Sequence, residues 1–168
     1  MTCANKERQD LYIIMIRIVP AETTELIEEA RKLFMEYAAS LGFDLGFQNF
    51  EEEMATFPNV YSPPRGSLLL AVHNDEIAGC VALREQKDDI CEMKRLYVRP
   101  RYRGLKVGRK LAQAIIATGR DAGYSAMRLD TVSSMTEAVE LYQSLKFTTI
   151  DPYCYNPLEG ASYMQLKF

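Results

Sequence analysis

Tryptophan is absent from the 168 residues, histidine occurs once as His73, and cysteine only four times. Cys3, Cys80, Cys91 and Cys154 form no CxxC pair and have no ligand-like spacing to His73. No metal site and no disulfide framework are therefore expected; small buried or free thiols in a reducing compartment fit the pattern. His73 sits beside the turn-like Asn74-Asp75-Glu76, which suits an exposed strand end better than a catalytic base. A large excess of one charge is also missing. The formal net charge of −3 argues against general nucleic-acid binding, although it leaves room for a local basic site. Nor is there a long hydrophobic run: Leu11 to Val19 is broken by Arg17 and is too short to span a bilayer. The N-terminus mixes acidic with basic residues and lacks a small-residue cleavage site, so no signal peptide is expected. Met15 is an alternative start, with residues 1–14 as an extension. The expectation is one cytoplasmic domain over residues 1–168, with no membrane or nucleic-acid partner, as a monomer or homodimer.

What is present has a regular order. Residues 12–19 are β-branched and end at Pro20, a strand pattern. A helical stripe runs from Leu26 to Leu41 and meets Gly42 as a C-cap; a second helix is expected from Phe47 to Phe57, before Pro58. The prolines of 58–66 mark a loop. Strands are expected at 67–73, 77–84 and 90–98, then a basic loop at 99–103 and a helix from Gly104 to Ala122, ended by Gly123. Another strand covers 125–131. Ser134 and Glu137 have capping-box spacing ahead of a helix carrying Ala138, Leu141, Tyr142 and Leu145. Strands at 147–150 and 163–168 close the chain, the last a candidate edge for pairing across a dimer. The fold class is thus α/β, one domain with a mixed sheet.

The segment Met93–Lys110 holds eight basic residues and no acidic one. A strand gives way to a short loop, and Gly104 and Gly108 fall where a helix begins. Backbone amides there can approach an anion closely, and Arg103, Lys106 and Arg109 surround the turn. Pyrophosphate is the natural size match. The spacing is wrong for a P-loop, GxGxxG is absent, and only Tyr97 and Tyr102 offer aromatic stacking for nucleic acid.

The run Leu96-Tyr97-Val98 through Arg103, Lys106 and Gly108 resembles the CoA-binding motif of the GCN5-related N-acetyltransferases, the GNAT superfamily. The stretch from Ala138 to Phe147, AVELYQSLKF, is similar to that family's second signature. Lys106 stands where the family has a glycine, so its amide is expected to donate only if positive φ is avoided. Lys146 also replaces a glycine, and Met135 stands where many relatives have an asparagine. The resemblance implies a GNAT fold: a mostly antiparallel mixed sheet of six to seven strands, four main helices, and β4 and β5 splayed around CoA. It implies acetyl-CoA as co-substrate, without a metal, and direct transfer to a small amine or amino-acid-like acceptor in a ternary complex. Leu96 and Val98 would hold the pantetheine arm through their main chains. Arg103, Gly104, Lys106, Val107, Gly108 and Arg109 would bind the pyrophosphate. Tyr142 would protonate the departing thiolate, and Glu92 is the first candidate base, with Asp130 the second. Loops 42–48, 58–66 and 151–160 would frame the acceptor, with Asp44 for a cation, Arg65 for a carboxylate, and Tyr61, Tyr153, Tyr155 and Asn156 nearby. A non-catalytic acetyl-CoA sensor, and transfer of longer acyl groups or to alcohols, stay open.

Overall fold

The computed structural model describes residues 15–168; the expected strand residues 12–14 and Cys3 lie outside them. The chain runs β1 (Ile16–Pro20), α1 (Thr24–Ser40), α2 (Phe50–Thr56), β2 (Ser67–His73), β3 (Glu76–Lys87), β4 (Ile90–Val98), α3 (Val107–Asp121), β5 (Ala126–Val132), α4 (Thr136–Ser144), β6 (Thr148–Ile150) and β7 (Ala161–Lys167). One seven-stranded sheet results, in the order β1-β2-β3-β4-β5-β7-β6. Every pair is antiparallel except β4 with β5.

Two apolar layers cover the sheet. In β2 and β3 both faces are buried, so alternate residues divide between them. Leu69, Ala71, Val81 and Leu83 pack with Val107, Leu111 and Ile115 of α3. Leu68, Leu70, Cys80 and Ala82 pack with Ala30, Leu33 and Phe34 of α1 and with Phe57 and Tyr61 beyond α2. The β2–β3 turn places Asn74 and Asp75 at φ 48° and 64°, the left-handed pair that matches strand twist in a two-residue hairpin.

Several local expectations are corrected. Thr23 caps α1 through its hydroxyl, which accepts from the Leu26 amide; the helix ends on extended Leu41, and Gly42 is not among the left-handed residues. Helix α2 starts at Phe50, after a 3-10 turn at Gly46–Gln48. Helix α4 has Met135 at its N-cap and no side-chain cap bond, so Ser134 and Glu137 do not make a capping box. Strand β7 lies between β5 and β6. It is therefore not a free edge for dimer pairing.

The main irregularity is in β4. Against β3, Ala82 faces Lys94 but Cys80 faces Tyr97, so Arg95 and Leu96 together oppose Val81, and Arg95 takes φ 57°. This is a β-bulge. Strict alternation would send Arg95 to the α3 side with Met93; the bulge instead leaves Lys94 and Arg95 on the same side, where both reach Gln48. Just past the bulge β3 crosses β4 so closely that a Cβ on Gly79 would lie 2.4 Å from the Tyr97 carbonyl oxygen. Gly79→Ala should accordingly destabilise the fold by roughly 1–3 kcal/mol, the usual cost of overpacking. Urea denaturation checks this, and an unchanged midpoint would mean that the crossing is looser than described.

Candidate active site

Parallel pairing of β4 and β5 covers only Ile90–Glu92 against Ala126–Arg128. Beyond it the strands diverge. Met93 to Leu96 form one wall of a cleft and Leu129 to Val132 the other. Tyr37 of α1, residues of the 43–48 loop, and Asn156 and Leu158 close it. A second, larger groove of about 1230 Å³, open mouth included, runs outward along Leu96, Tyr97 and Val98 to the loop before α3. Tyr37, Leu96, Met135 and Ala138 line both, so the two hollows are continuous.

The outer end is built by the turn from Pro100 to Val107. Gly104 (φ 82°) and Lys106 (φ 60°) are both left-handed. Lys106 thus takes positive φ, contrary to expectation, at a cost of roughly 1–2 kcal/mol for a residue with a Cβ. Lys106 gives α3 no side-chain cap, and the first helical hydrogen bond there runs from the Lys110 amide to the Lys106 carbonyl. The amides of Val107, Gly108 and Arg109 are consequently the open donors of a first helical turn, and the helix dipole adds positive potential. Arg103, Gly104, Lys106, Val107 and Gly108 all line this groove. Arg109 does not; its guanidinium donates to Ser144 Oγ at 2.7 Å, tying α3 to α4. The residues present therefore fit a pyrophosphate-bearing ligand with a long thin arm.

The inner cleft holds Tyr142, 8 % exposed. Burial raises its phenol above the ordinary tyrosine value, and nearby Tyr37 and Asp130 push the same way. It stays a neutral donor. Asp130 is also on the cleft wall, its side chain 5 % exposed. Its Oδ2 accepts from Gln48 Nε2 (3.3 Å) and Asn156 Nδ2 (3.1 Å), and its Oδ1 faces Lys94 Nζ (3.4 Å). Arg95 is held by both oxygens of Glu53 (3.2 and 2.5 Å) and by Gln48 Oε1 (2.7 Å).

Other expected site residues lie elsewhere. Glu92, 2 % exposed, is not among the residues that line the cleft; it accepts from Arg84 Nε (2.8 Å) and the Tyr153 hydroxyl (2.7 Å) and lies 3.9 Å from Lys94 Nζ. Asp44 is exposed and turns back to accept from the Gly46 amide. Tyr61 is a core residue donating to Glu53 at 2.7 Å. Arg65 is exposed, pairs with Glu85 and stacks on Tyr124, outside the cleft. So loops 43–48 and 151–160 reach the cleft, but loop 58–66 does not. Tyr37, Gln48, Lys94 and Arg95 were not singled out from the sequence for the acceptor side. The last two were visible only as part of a basic run.

Among the described residues no cluster suits a metal ion, and no helix is long and apolar enough to cross a membrane. Cys80, Cys91 and Cys154 are free thiols, the first two buried.

Comparison with known proteins agrees with this geometry. The pattern of the acetyltransferase (GNAT) family matches residues 25–147. An uncharacterized N-acetyltransferase of Schizosaccharomyces pombe is 41 % identical over 154 residues, covering 90 % of this chain and 94 % of the relative. A GNAT-family acetyltransferase of Staphylococcus aureus superposes with a TM-score of 0.73 at 20 % identity, over 90 % of this chain and 98 % of that one. A Bacillus subtilis acetyltransferase, whose structure contains CoA, gives 0.66 at 18 % identity, over 91 % and 99 % of the two chains. The chain therefore belongs to the acetyltransferase (GNAT) family, whose members take an acetyl group from acetyl-CoA.

Proposed function

We propose that this protein transfers the acetyl group of acetyl-CoA directly to the nitrogen of a small amine held in the inner cleft. The observation that carries the reading is the continuity of the two hollows: an anion-binding helix terminus at one end, a polar dead end at the other, and Tyr142 between. The Val107 and Gly108 amides, with Arg103 and Lys106, hold the pyrophosphate. The main chain of Leu96 and Val98 guides the pantetheine arm. The splay leaves main-chain amides of β4 free of β5, and one of them polarises the thioester carbonyl.

Asp130 takes the proton that the acceptor ammonium must lose, directly or through water, because it lines the cleft and Glu92 does not. The freed nitrogen forms a bond to the carbonyl carbon and sheds its second proton to water, the carbon–sulfur bond breaks, and Tyr142 gives its proton to the departing sulfur. Burial raises the Tyr142 phenol above its ordinary value, which keeps it protonated until the thiolate leaves. Tyr142 then recovers a proton from solvent.

Calorimetric titration with acetyl-CoA tests the site. Micromolar binding should be lost on Gly108→Trp and weakened at least tenfold on Arg103→Glu. A Cβ at Gly108 would meet Val98 and Leu141 only at ordinary contact distances, 3.7 and 3.9 Å, so the position accepts a side chain, and an unchanged urea midpoint for the variant checks that the fold survives. A correctly folded wild type that ignores acetyl-CoA would sink the proposal.

A further inference from the structure

The inner cleft contains a buried ammonium with poor partners. The Lys94 side chain is 8 % exposed, yet the neighbours of its Nζ are Asp130 Oδ1 at 3.4 Å, Gln48 Oε1 at 3.5 Å and Glu92 Oε1 at 3.9 Å. A charge-assisted N–H···O bond normally closes to about 2.7–2.9 Å. Adjacent Arg95 shows what satisfaction looks like, with three contacts between 2.5 and 3.2 Å. Two of the three acceptors around Lys94 are shared, Gln48 Oε1 with Arg95 and Glu92 with Arg84 and Tyr153, and only Asp130 Oδ1 serves Lys94 alone among the described residues. Lys94 lines the cleft, and its two long hydrogen bonds leave the third N–H of the ammonium with only the distant Glu92 carboxylate. Burying it so loosely is costly unless an anion completes the shell.

The charge count sets the sign of the whole ligand. Arg84, Lys94 and Arg95 face Glu53, Glu92 and Asp130, three cations against three carboxylates. A zwitterion leaves that balance intact, whereas a polyamine would add unpaired positive charge. Lys94 and Asp130 are also immediate neighbours. A carboxylate on one and an amine on the other must therefore lie close together in the ligand, as they do across a single carbon. The wall beyond is apolar, formed by Phe43, Leu45, Phe47 and Leu158.

We propose that the acceptor is an α-amino acid, its carboxylate bound by Lys94 and its amine presented toward Asp130. This rests on the acetyl-transfer reading above. It moves the carboxylate anchor from Arg65, which the fold carries away, to a residue of the bulge. Nothing in the sequence distinguishes Lys94 from the other seven basic residues of its run.

The test compares kcat/KM, followed as CoA thiol release, for the twenty L-amino acids and for decarboxylated partners such as 3-methylbutylamine for leucine and phenethylamine for phenylalanine. The accepted amino acids should exceed their amines by roughly 10- to 100-fold, the range for one hydrogen bond to a charged group. Lys94→Gln should collapse that preference while acetyl-CoA titrates as in the wild type. If the wild type turns over amines and amino acids alike, the inference falls and acetyl transfer stands. Should Lys94→Gln keep the full preference, Lys94 is not the anchor. Acetyl-CoA binding without turnover of any amine or amino acid would remove the acceptor reading and this inference with it.

Discussion

Tyr142→Phe should lower kcat by roughly 10²–10⁴-fold, the usual worth of one positioned proton donor, with acetyl-CoA affinity and thermal stability nearly unchanged. The substitution removes one oxygen. In the described structure that oxygen has no hydrogen-bond partner among the described residues, and no buried side-chain polar atom is left unsatisfied, so the hydroxyl opens onto the cleft. Its removal orphans nothing in the fold, and the loss should appear only when a thiolate must leave. The pH dependence has a definite sign. Burial raises the phenol's pKa above its usual value near 10, so the neutral donor persists up to and beyond that pH. The wild-type rate should then show no alkaline decline from Tyr142 between pH 7 and about 9.5. The same shift makes a stability contribution that is complete below the unfolded pKa and is lost as pH rises through the folded one. A Tyr142→Phe enzyme within threefold of wild type would assign the sulfur's proton to solvent.

Glu53→Ala should cost about 3–5 kcal/mol of folding stability, the price of stranding one member of a buried ion pair. Arg95 is 3 % exposed and Glu53 10 %; without the carboxylate, the guanidinium keeps only Gln48 as a hydrogen-bond partner and the face of Phe50. The Tyr61 hydroxyl loses its acceptor as well. Against a typical domain stability of about 5–15 kcal/mol, the loss is large. Urea denaturation should show a lower midpoint with an unchanged slope. Glu53→Gln keeps an acceptor and removes only the charge, so its effect should be smaller. A Glu53→Ala midpoint close to wild type would mean that water reaches Arg95 in solution. Because Arg95 lines the cleft and shares Gln48 with Lys94, the surviving folded fraction should also lose acceptor affinity.

Strand and helix order was readable because it depends on periodicity and punctuation, both local. β-branched runs, Pro20, the Asn74-Asp75 turn and Gly123 all act within a few residues of themselves. The groove proposed for the cofactor could be expected for the same reason: a strand end, a glycine-bearing loop and a helix start are consecutive in the chain, so the proposed anion site is assembled from one segment. The resemblance of that segment and of Ala138–Phe147 to known motifs added the chemistry. Where local rules failed, a competing local interaction won. Gly42 was free to cap α1, but Leu41 ended it in an extended conformation. The Ser134–Glu137 spacing was present, but the helix began two residues after Ser134.

The acceptor side obeyed no such rule. Asp44, Tyr61 and Arg65 are plausible in composition, but the cleft lies where β4 and β5 part, and residues join it only if the sheet brings them there. Gln48 meets Asp130 across 82 positions, and Arg95 meets Glu53 across 42. Such pairs leave no trace in spacing. The β4 bulge matters most, since one extra residue reverses the face on which a side chain lies. Local pattern thus specified the elements, the family and the glycine-bearing turn before α3. Packing of the assembled sheet set which charges share the cleft, because burial and long-range pairing arise only when distant strands meet.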